Sequence, residues 1–276
     1  MTAPVASLII STYNLPKHLE LVCAAVLRQS FRDFEVVICD DGSGRDTREV
    51  IDVFRARSQM PVFHVWQENK GFRKCKILNE GLRKTSGQTL IFLDGDCVPH
   101  RDFVKDHVQN QEPGRYLAGR RMELGKKLSE SLTPADIREG FFDRPRGRLV
   151  MSALFGDTTH LQRSLRVSLP WLRKKMRMQQ VDDLKGCNYS VNRLDLISIN
   201  GFDEKYEGYG REDTDIEIRL QNYGLKIKSL KGLALQFHVW HPRREFTVVN
   251  DQRLEDVKRT KRVRCENGLI QDRPIP

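Results

Sequence analysis

The sequence predicts an α/β protein whose central sheet is mostly parallel, doubly wound and flanked by helices. Short apolar runs rich in β-branched residues indicate buried strands, and each is followed by turn residues and then by apolar residues at helical spacing. Strands that alternate with helices in this way are typical of parallel sheets covered on both faces. The predicted strands of the first half are 5–11, 34–39, 62–66 and 89–93, and the predicted helices between them are 17–30, 45–57 and 73–84.

The regular pattern weakens in the middle of the chain and then returns. The segment 120–181 is rich in Lys and Arg and is interrupted by Pro170, so we expect a basic helical insertion there. After it, strand and helix patterns resume and lead into a charged tail. The elements predicted in this last part are a strand at 186–190, helices at 193–199 and 213–223, and a strand at 234–240.

The composition indicates a folded, basic protein of the cell interior. Among 276 residues, 47 Lys and Arg stand against 37 Asp and Glu, a formal net charge of +10, and 39% of residues are hydrophobic. No apolar run approaches the roughly 18 to 20 residues that span a bilayer, and the first residues lack a signal-peptide pattern. Six cysteines without a CxxC pair indicate reduced core thiols rather than a zinc site. We therefore expect a cytoplasmic protein.

Polar side chains follow three of the predicted strands at the points where the strands end. In doubly wound sheets the ligand binds outside the carboxyl ends of the strands, so these residues are candidates for a binding site. Asp94 and Asp96 form an Asp-Gly-Asp sequence, and a hard divalent cation prefers oxygen ligands. A solvated turn is the alternative interpretation, because Asp is common in turns. The candidates are Thr12, Tyr13 and Asn14 after the first strand, Asp40 and Asp41 after the second, and Asp94 and Asp96 after the fourth.

A second acidic cluster starts the predicted helix 213–223. Glu212, Asp213 and Asp215 follow a glycine-rich loop there. One acid at a helix N-terminus is explained by capping and by the helix dipole, but three exceed what a cap needs. A carboxylate that is partly desolvated beside other carboxylates has a raised pKa, which suits a general base. Asp213 is the candidate base.

Three cations and two histidines complete the candidates. Arg73, Lys74 and Lys76 open a helix, where positive charge opposes the helix dipole, so contact with a diphosphate explains them better than a solvated face does. His238 and His241 lie at the end of the last predicted strand. A single His at such a position is more often a packing residue, but beside an Asp-Gly-Asp sequence one of the two is a candidate metal ligand.

These motifs, in this order, resemble the inverting nucleotide-sugar glycosyltransferases of the GT-A fold, glycosyltransferase family 2 in particular. In the first half they resemble the family's nucleotide-binding positions and its metal-binding DxD. In the second half they are similar to the acceptor-side module of bacterial chondroitin-type polymerases and animal β-1,4-galactosyltransferases. The matching stretches are 11–14, 40–43, 72–79 and 94–96 in the first half, and 185–190, 200–204 and 209–215 in the second.

The resemblance implies a Rossmann-like GT-A fold in one continuous domain. Residues 1–119 would form the nucleotide-sugar-binding half, 120–181 a basic helical insertion on the acceptor or membrane side, and 182–276 the galactosyltransferase-like half with the acceptor site and the base. It also implies Mn²⁺ or Mg²⁺ as cofactor. The second carboxylate of the DxD, Asp96, would bind the metal directly, together with His238 or His241; the sequence leaves this choice open.

The resemblance further assigns the remaining candidates. In the acceptor module Arg211 stands where the animal enzymes have a second Gly, so the acceptor contacts differ there. The catalytic pair would be Asp213, as the base, and Glu212. Residues implied to bind the nucleotide sugar are Thr12, Tyr13, Asn14, Asp40, Asp41, Phe72, Arg73, Lys74, Lys76, Asn79 and Asp94, and those implied at the acceptor or sugar are Asn188, Tyr209, Gly210 and Arg211.

The activity expected from this resemblance is transfer of a hexose from a UDP-sugar to a glycan or glycolipid acceptor, with formation of a β-linkage, in bacterial cell-surface polysaccharide or lipopolysaccharide synthesis. The basic insertion is a solvated cationic surface or an interfacial patch on an anionic membrane, at the inner face of the plasma membrane. The patch would combine Leu165, Val167, Leu169, Trp171 and Leu172 with Arg163, Arg166, Arg173, Lys174, Lys175 and Arg177.

Other protein classes share single features of this sequence. A nucleotidyltransferase would share the sheet and the carboxylates, but it is expected to carry a Gly-rich phosphate loop after the first strand, where this chain has Thr12-Tyr13-Asn14. A nucleic-acid-binding protein would share the basic charge, but the RRM and zinc-finger spacings are missing, so we expect no nucleic-acid partner. The DxD and the Glu-Asp pair argue against a catalytically inactive sugar-binding or membrane-binding module.

Overall fold

The computed structural model describes residues 3–143, 147–242 and 246–270. In that part of the chain, seven strands form a mixed sheet in the order β3-β2-β1-β4-β8-β6-β9, and three short strands form a second sheet in the order β5-β10-β7. The strands are β1 Ala6–Thr12, β2 Phe34–Asp40, β3 Val62–Trp66, β4 Thr89–Asp94, β5 Cys97–Pro99, β6 Arg115–Ala118, β7 Arg121–Glu123, β8 Tyr189–Asn192, β9 Lys226–Ser229 and β10 Gln236–His238.

Eleven α-helices and one 3₁₀ turn are present within the same described ranges. The helices are α1 Pro16–Val26, α2 Arg45–Arg57, α3 Lys74–Leu82, α4 Phe103–Asn110, α5 Lys126–Ser131, α6 Pro134–Arg138, α7 Gly147–Leu154, α8 Pro170–Lys175, α9 Arg193–Ser198, α10 Glu212–Asn222 and α11 Val249–Thr260, and the 3₁₀ turn is Leu161–Ser164.

The predicted α/β class with a mostly parallel sheet is confirmed. Strands β1, β2, β3 and β4 are mutually parallel, and Ser11 of β1 lies opposite Asp94 of β4 while Thr12 lies opposite Asp40 of β2. Strand β8, from the second half of the chain, is antiparallel to both β4 and β6. The register therefore brings the carboxyl ends of β1, β2 and β4 to one edge.

The core lies on both faces of the large sheet, because alternate residues of each strand point to opposite sides. Ile10 and Ile38 pack on the face that α1 covers, whereas Ile9 and Val37 pack on the face covered by α3 and α10. The Phe92 and Tyr189 rings stack across the β4 and β8 pair with centroids 4.4 Å apart. All six cysteines are buried and unpaired, which confirms the prediction of core thiols.

The predicted elements of the first half are observed with small shifts of their ends, and those of the second half are less accurate. The strand predicted at 186–190 starts only at Tyr189, because Asn188 closes a turn by donating its N–H to the carbonyl of Lys185 (2.8 Å). The predicted charged tail contains helix α11, whose Leu254 and Val257 are buried. Because this helix is mainly polar and buries only two apolar side chains, its sequence shows little of the apolar periodicity that predicts a helix.

The basic insertion is less helical and less exposed than its sequence suggests. It contains strand β7 and four short helices separated by loops. Val167 is buried, and the guanidinium groups of Arg163, Arg166 and Arg173 point into the protein. Arg166 binds both carboxylate oxygens of Asp106, and Arg173 donates to the carbonyl of Ser229 (2.9 Å).

The prediction that these four residues belong to an exposed patch is therefore wrong: Val167 is buried, and the three guanidinium groups bind internal carboxylate and carbonyl oxygens. Arg163, the remaining inward cation, donates to the carbonyl of Arg121 (2.9 Å). Within the described residues no helix is both long and apolar enough to cross a membrane.

Candidate active site

A cleft of about 740 Å³ opens at the carboxyl ends of β1, β2 and β4. Its wall continues through the start of α3, strand β7, the end of β10 and the start of α10, so residues from both halves of the chain meet there. Such a position is where doubly wound sheets bind their ligands. The predicted site residues that line it are Thr12, Tyr13, Asp41, Phe72, Lys74, Asp94, Asp96, Tyr209, Glu212, His238 and His241.

Asp41 fixes one side of the cleft. Its carboxylate accepts the main-chain N–H of Arg73 (2.8 Å) and the side-chain amide of Gln67 (2.5 Å), which holds the start of α3 against the end of β2. Nearby, the hydroxyl of Thr12 is buried without a hydrogen-bond partner among the described residues. A buried polar atom of this kind is unfavourable unless a ligand or water satisfies it.

Two aromatic rings of the cleft lining contact each other. Phe72, before α3, and Tyr209, before α10, meet edge to face with centroids 6.0 Å apart. The Tyr209 ring in turn meets the ring of Phe246 edge to face, with centroids 6.3 Å apart. Aromatic faces of this kind offer apolar contact to a base or to a sugar ring.

Lys74 lies at the centre of the cleft. Its Nζ donates to Oδ1 of Asp94 (2.9 Å), and the hydroxyl of Ser11 donates to the same oxygen (2.6 Å). Burial alone would lower the pKa of Lys74, but the negative charges of Asp94, Asp213 and Glu212 hold it well above its usual value. The ammonium is therefore positively charged at neutral pH and is surrounded by acids on both sides of the cleft.

Asp96 and two histidines converge on one point of the wall. Oδ2 of Asp96 is 3.1 Å from Nε2 of His241, and Oδ1 is 3.8 Å from Nε2 of His238. Burial would raise the pKa of Asp96, but the hydrogen bond with His241 and the charge of His238 lower it well below its usual value. The Cys97 thiol, which donates to Asp96, has a pKa raised by burial and remains protonated.

One carboxylate and two imidazole nitrogens form a donor set that fits Mn²⁺ or a similar divalent cation. Glu123 orients one of these ligands: its Oε2 lies 2.7 Å from Nδ1 of His238, and its Oε1 accepts Nε of Arg121 (2.7 Å). With Nδ1 engaged by Glu123, Nε2 is the nitrogen of His238 that faces Asp96. Burial would raise the pKa of Glu123, but the hydrogen bond with His238 and the charge of Arg121 lower it to about 2.

Glu212 and Asp213 begin α10 after a loop with three residues in the left-handed region, Gly208 (φ 79°), Gly210 (φ 113°) and Arg211 (φ 75°). Glu212 lines the cleft and accepts the N–H of Gly210 (3.0 Å), while Asp213 accepts the N–H of Gly186 (3.0 Å). Burial and the neighbouring charge of Asp213 raise the pKa of Glu212 to about 7.

The pKa of Asp213 is also raised, chiefly by burial and in addition by the charge of Asp94, although Lys74 counteracts the shift. Both carboxyl groups thus exchange a proton closer to neutral pH than ordinary acids do.

The third acid at the start of α10, Asp215, has a structural role. Asp215 forms a fully buried pair with Arg219, whose Nε donates to it (2.8 Å), so its role is structural.

Several predicted site residues lie behind the cleft wall. Asn79 is fully buried and exchanges two hydrogen bonds with the main chain of Phe202 (2.8 and 3.0 Å), which ties α3 to the 200–204 loop. Asn188 is also fully buried, where it contacts Nε2 of His107 (3.1 Å) and donates to the carbonyl of Ala234 (2.9 Å). Both amides position other segments rather than face the cleft.

The other predicted residues outside the lining are explained by local contacts. Asp40 accepts the N–H of Ser43 (2.8 Å), and Asn14 accepts that of Gly44 (3.0 Å). Arg73 donates to the carbonyl of Glu68. Gly210 supplies its N–H to Glu212, Arg211 pairs with Asp251 (2.5 Å), and Lys76 is a partly exposed cation on α3.

Some cleft residues were not predicted from the sequence. Glu123 and Arg121 come from a three-residue strand inside the basic insertion, and Asp157, Thr159 and His160 come from a loop of the same insertion. No local motif marks these residues. Their presence shows that part of the insertion forms a wall of the cleft.

Solved structures share the overall fold of this chain, which is the GT-A fold. The mannosyltransferase PcManGT from Pyrobaculum calidifontis, solved in complex with GDP-Man and Mn²⁺, is 18% identical with a TM-score of 0.59 over 89% of this chain and 59% of that chain. TarS of S. aureus is 16% identical with a TM-score of 0.60 over 93% of this chain and 39% of that chain.

The chain belongs to glycosyltransferase family 2. The sequence model of the family described as "Glycosyl transferase family 2" matches residues 7–167. The sequence model of a second family, described as "N-terminal domain of galactosyltransferase", matches residues 171–242. The predicted membership and the predicted second module are both confirmed.

Curated relatives are longer than this chain. Validoxylamine A glucosyltransferase of Streptomyces hygroscopicus subsp. jinggangensis is 27% identical over 239 residues, which cover 81% of this chain and 53% of that protein. Chondroitin synthase of Escherichia coli is 25% identical over 259 residues, which cover 87% of this chain and 35% of that protein. The chain thus spans about half of the first relative and about a third of the second.

Proposed function

We propose that this protein is a metal-dependent, inverting glycosyltransferase that moves a hexose from a UDP-sugar to a hydroxyl of a glycan or glycolipid and forms a β-linkage. The observation that carries the proposal is the convergence of three groups in one cleft. The Asp96 and histidine cluster, the Lys74–Asp94 ion pair and Glu212 line this cleft. Asp213 follows Glu212 in α10 and is not itself a lining residue, but its carboxylate is close enough to Lys74 for their charges to interact.

A nucleotide diphosphate donor is supported by the chemistry of the first-half residues. The Lys74 ammonium and the unsatisfied hydroxyl of Thr12 are donors for phosphate or ribose oxygens, and the Phe72 ring can cover a base. Two neighbouring structures are complexes with nucleotide sugars: the Pyrobaculum mannosyltransferase with GDP-Man, and TarS residues 1–349 with UDP-GlcNAc. A UDP-sugar is our choice for this chain.

Asp96, His238 and His241 would hold a divalent cation, with Glu123 orienting His238. When bound, such a cation neutralises the charge that develops on the diphosphate leaving group. The Lys74 ammonium adds a positive charge on the same leaving group.

Asp213 would act as the general base. Its carboxylate takes the proton of the acceptor hydroxyl as the acceptor oxygen bonds to the anomeric carbon. The bond from that carbon to the diphosphate oxygen breaks, and its electron pair leaves with UDP. Attack from the face opposite UDP inverts an α-linked donor into a β-linked product. Glu212, bound to the Gly210 N–H, would orient the acceptor hydroxyl.

A membrane-associated acceptor is supported by the exposed part of the basic insertion. Leu165, Leu169 and Trp171 are exposed beside exposed Lys174 and Lys175. Apolar side chains next to cations suit the surface of an anionic bilayer. Vesicles with and without phosphatidylglycerol test this part: binding only to the anionic vesicles, lost at high salt, is expected, and equal absence of binding to both would reject it.

The stereochemistry provides the test of the reaction itself. With water as acceptor, proton NMR of the sugar first released from each of a panel of α-linked UDP-sugars should show the β-anomer before mutarotation. Release of the α-anomer would reject inversion, and production of pyrophosphate in place of UDP would favour the alternative, a nucleotidyltransferase.

A further inference from the structure

A second cavity adjoins the candidate active site. It has a volume of about 490 Å³ and runs between α5 and α7 in the basic insertion. We name it the α5–α7 groove. Its lining residues are Lys127, Leu128, Ser131, Arg148, Met151, Ser152, Phe155, Gly156 and Asp157.

The groove and the catalytic cleft share one wall residue, Asp157. The Asp157 carboxylate accepts the N–H of Leu128 in α5 (3.3 Å) and the hydroxyl of Ser152 in α7 (3.1 Å). The next residue, Thr158, accepts the N–H of Gly125 (3.0 Å). These bonds fix the junction between α5 and α7, so Asp157, the residue that lines both cavities, is held in one position.

Helix α5 also touches the catalytic cleft directly. Ser129 accepts the N–H of the cleft residue Trp240 (2.9 Å), and the ammonium of Lys126 lies 5.0 Å from the centre of the Trp240 ring. On the other side of the junction, Thr159 forms a β-bridge with Glu123, which orients His238. The groove therefore lies next to the cleft, on the side of the Asp96 and histidine cluster.

The lining combines apolar surface with positive charge. Phe155 is 79% exposed and Met151 is 48% exposed, so the groove presents two large apolar side chains to solvent. Lys127 is exposed, and Arg148 is held in place by Asp136 (2.9 Å) and by the hydroxyl of Ser131 (2.9 Å). The lining acid, Asp157, is engaged in the hydrogen bonds at the junction.

We propose that the α5–α7 groove binds the part of the acceptor glycan that lies beyond the sugar receiving the new residue, and that this acceptor is an anionic glycan of at least two sugars. The inference rests on the proposed function in one respect, that the cleft transfers a sugar to an acceptor. The first-half residues face the donor, so an acceptor longer than one sugar must leave the cleft on another side, and the groove continues from it.

The chemistry of the groove matches this occupant. The C–H faces of pyranose rings pack against apolar and aromatic side chains, here Phe155 and Met151. The exposed Lys127 ammonium complements a carboxylate or phosphate group on the chain, whereas the charge of Arg148 is paired with Asp136. A neutral glycan would use only the apolar side chains, and an acceptor of a single sugar would not extend into the groove.

A glycan array tests the proposal without knowledge of the natural acceptor. The fluorescently labelled full chain, with UDP and Mn²⁺, is applied to defined neutral and anionic glycans of increasing length. We expect binding to anionic disaccharides and longer chains. The Lys127→Glu variant should bind them at least about tenfold more weakly, because a charge-assisted hydrogen bond contributes on that order. Phe155→Ala should weaken binding of anionic and neutral chains alike. Lys84→Glu makes the same charge change at an exposed residue after the end of α3 and should have no effect.

Three results would overturn the groove assignment. The first is that the protein binds no glycan on the array. The second is that Lys127→Glu and Lys84→Glu lose glycan affinity equally. The third is that the protein binds only phosphatidylglycerol vesicles, and that Lys127→Glu weakens this binding as strongly as expected for glycans. UDP release from UDP-sugars in water is measured in parallel on the wild-type chain. Its absence rejects the proposed function, whereas normal release with unchanged glycan binding in Lys127→Glu rejects the groove alone.

Discussion

Nδ1 of His238 lies 2.7 Å from Oε2 of Glu123, so the imidazole is held with its other nitrogen toward Asp96. A carboxylate in this position fixes the tautomer and the orientation of a metal-binding histidine. The strand that carries Glu123, β7, pairs with the strand that carries His238, β10, and their register places the two residues opposite each other.

The first prediction concerns Glu123. Glu123→Ala should weaken Mn²⁺ binding by about 10- to 100-fold, since loss of the orienting carboxylate leaves the His238 ring unfixed. Glu123→Gln should cost less, because the amide oxygen still accepts Nδ1–H. Titration calorimetry with Mn²⁺ in the presence of UDP measures both variants. Glu130→Gln, an exposed acid on α5, is the control; wild-type Mn²⁺ affinity in Glu123→Ala would contradict this role.

The second prediction separates the two acids of α10. Asp213→Asn should lower the rate of sugar transfer or donor hydrolysis by about 10²- to 10⁴-fold, the usual contribution of a general base, with UDP affinity nearly unchanged. Glu212→Gln keeps an acceptor for the Gly210 N–H and should lose less. Rates from UDP release and affinities from calorimetry give both quantities. A larger loss in Glu212→Gln than in Asp213→Asn would transfer the base role to Glu212.

The third prediction is a pH dependence. The base acts only when deprotonated, so kcat/KM should fall as the pH drops below the pKa of the acidic pair. Burial raises the pKa of Asp213 and brings that of Glu212 to about 7, so this decline should occur nearer neutrality than for an ordinary Asp. A pH profile of donor hydrolysis shows the decline in the wild type. The residual activity of Asp213→Asn should lack it, and an identical profile in that variant would contradict the assignment.

The fourth prediction concerns stability. Asp215 is the acid partner of Arg219, which is fully buried and also donates to the carbonyl of Ile199 (2.8 Å). Asp215→Ala would leave an uncompensated buried charge, so the free energy of unfolding should fall by about 3 to 5 kcal/mol. Asp256→Ala removes an exposed partner of Arg259 and should change it by less than about 1 kcal/mol. Urea denaturation followed by circular dichroism compares them; equal changes would refute the structural role of Asp215.

Local patterns were sufficient for the elements that build the first half. Buried strands such as β1 and β4 are short, continuous apolar runs, and the polar residues that end them could be located directly. The aligned register of the parallel strands places Ser11 beside Asp94, and the start of α3 brings Lys74 to the same carboxylate; neither contact was predicted from the sequence.

Contacts between distant segments were beyond sequence reasoning. Glu123 belongs to the site because β7 pairs with β10 across more than a hundred residues, and nothing local distinguishes it from other acids of the basic insertion. Conversely, Asn79 and Asn188 have the residue type of ligand-binding amides, but their partners are main-chain groups in the core. A polar residue matched to a motif can therefore support the site from behind its wall.

The most direct test of the central claim is the release of UDP from a panel of UDP-sugars, without acceptor, in Mn²⁺ and in EDTA. The account predicts slow release from one sugar in Mn²⁺ and its loss in EDTA, because Asp96, His238 and His241 would hold the cation beside the diphosphate. Silence across the whole panel, together with no UDP binding by calorimetry, would contradict the assignment of this cleft to a UDP-sugar.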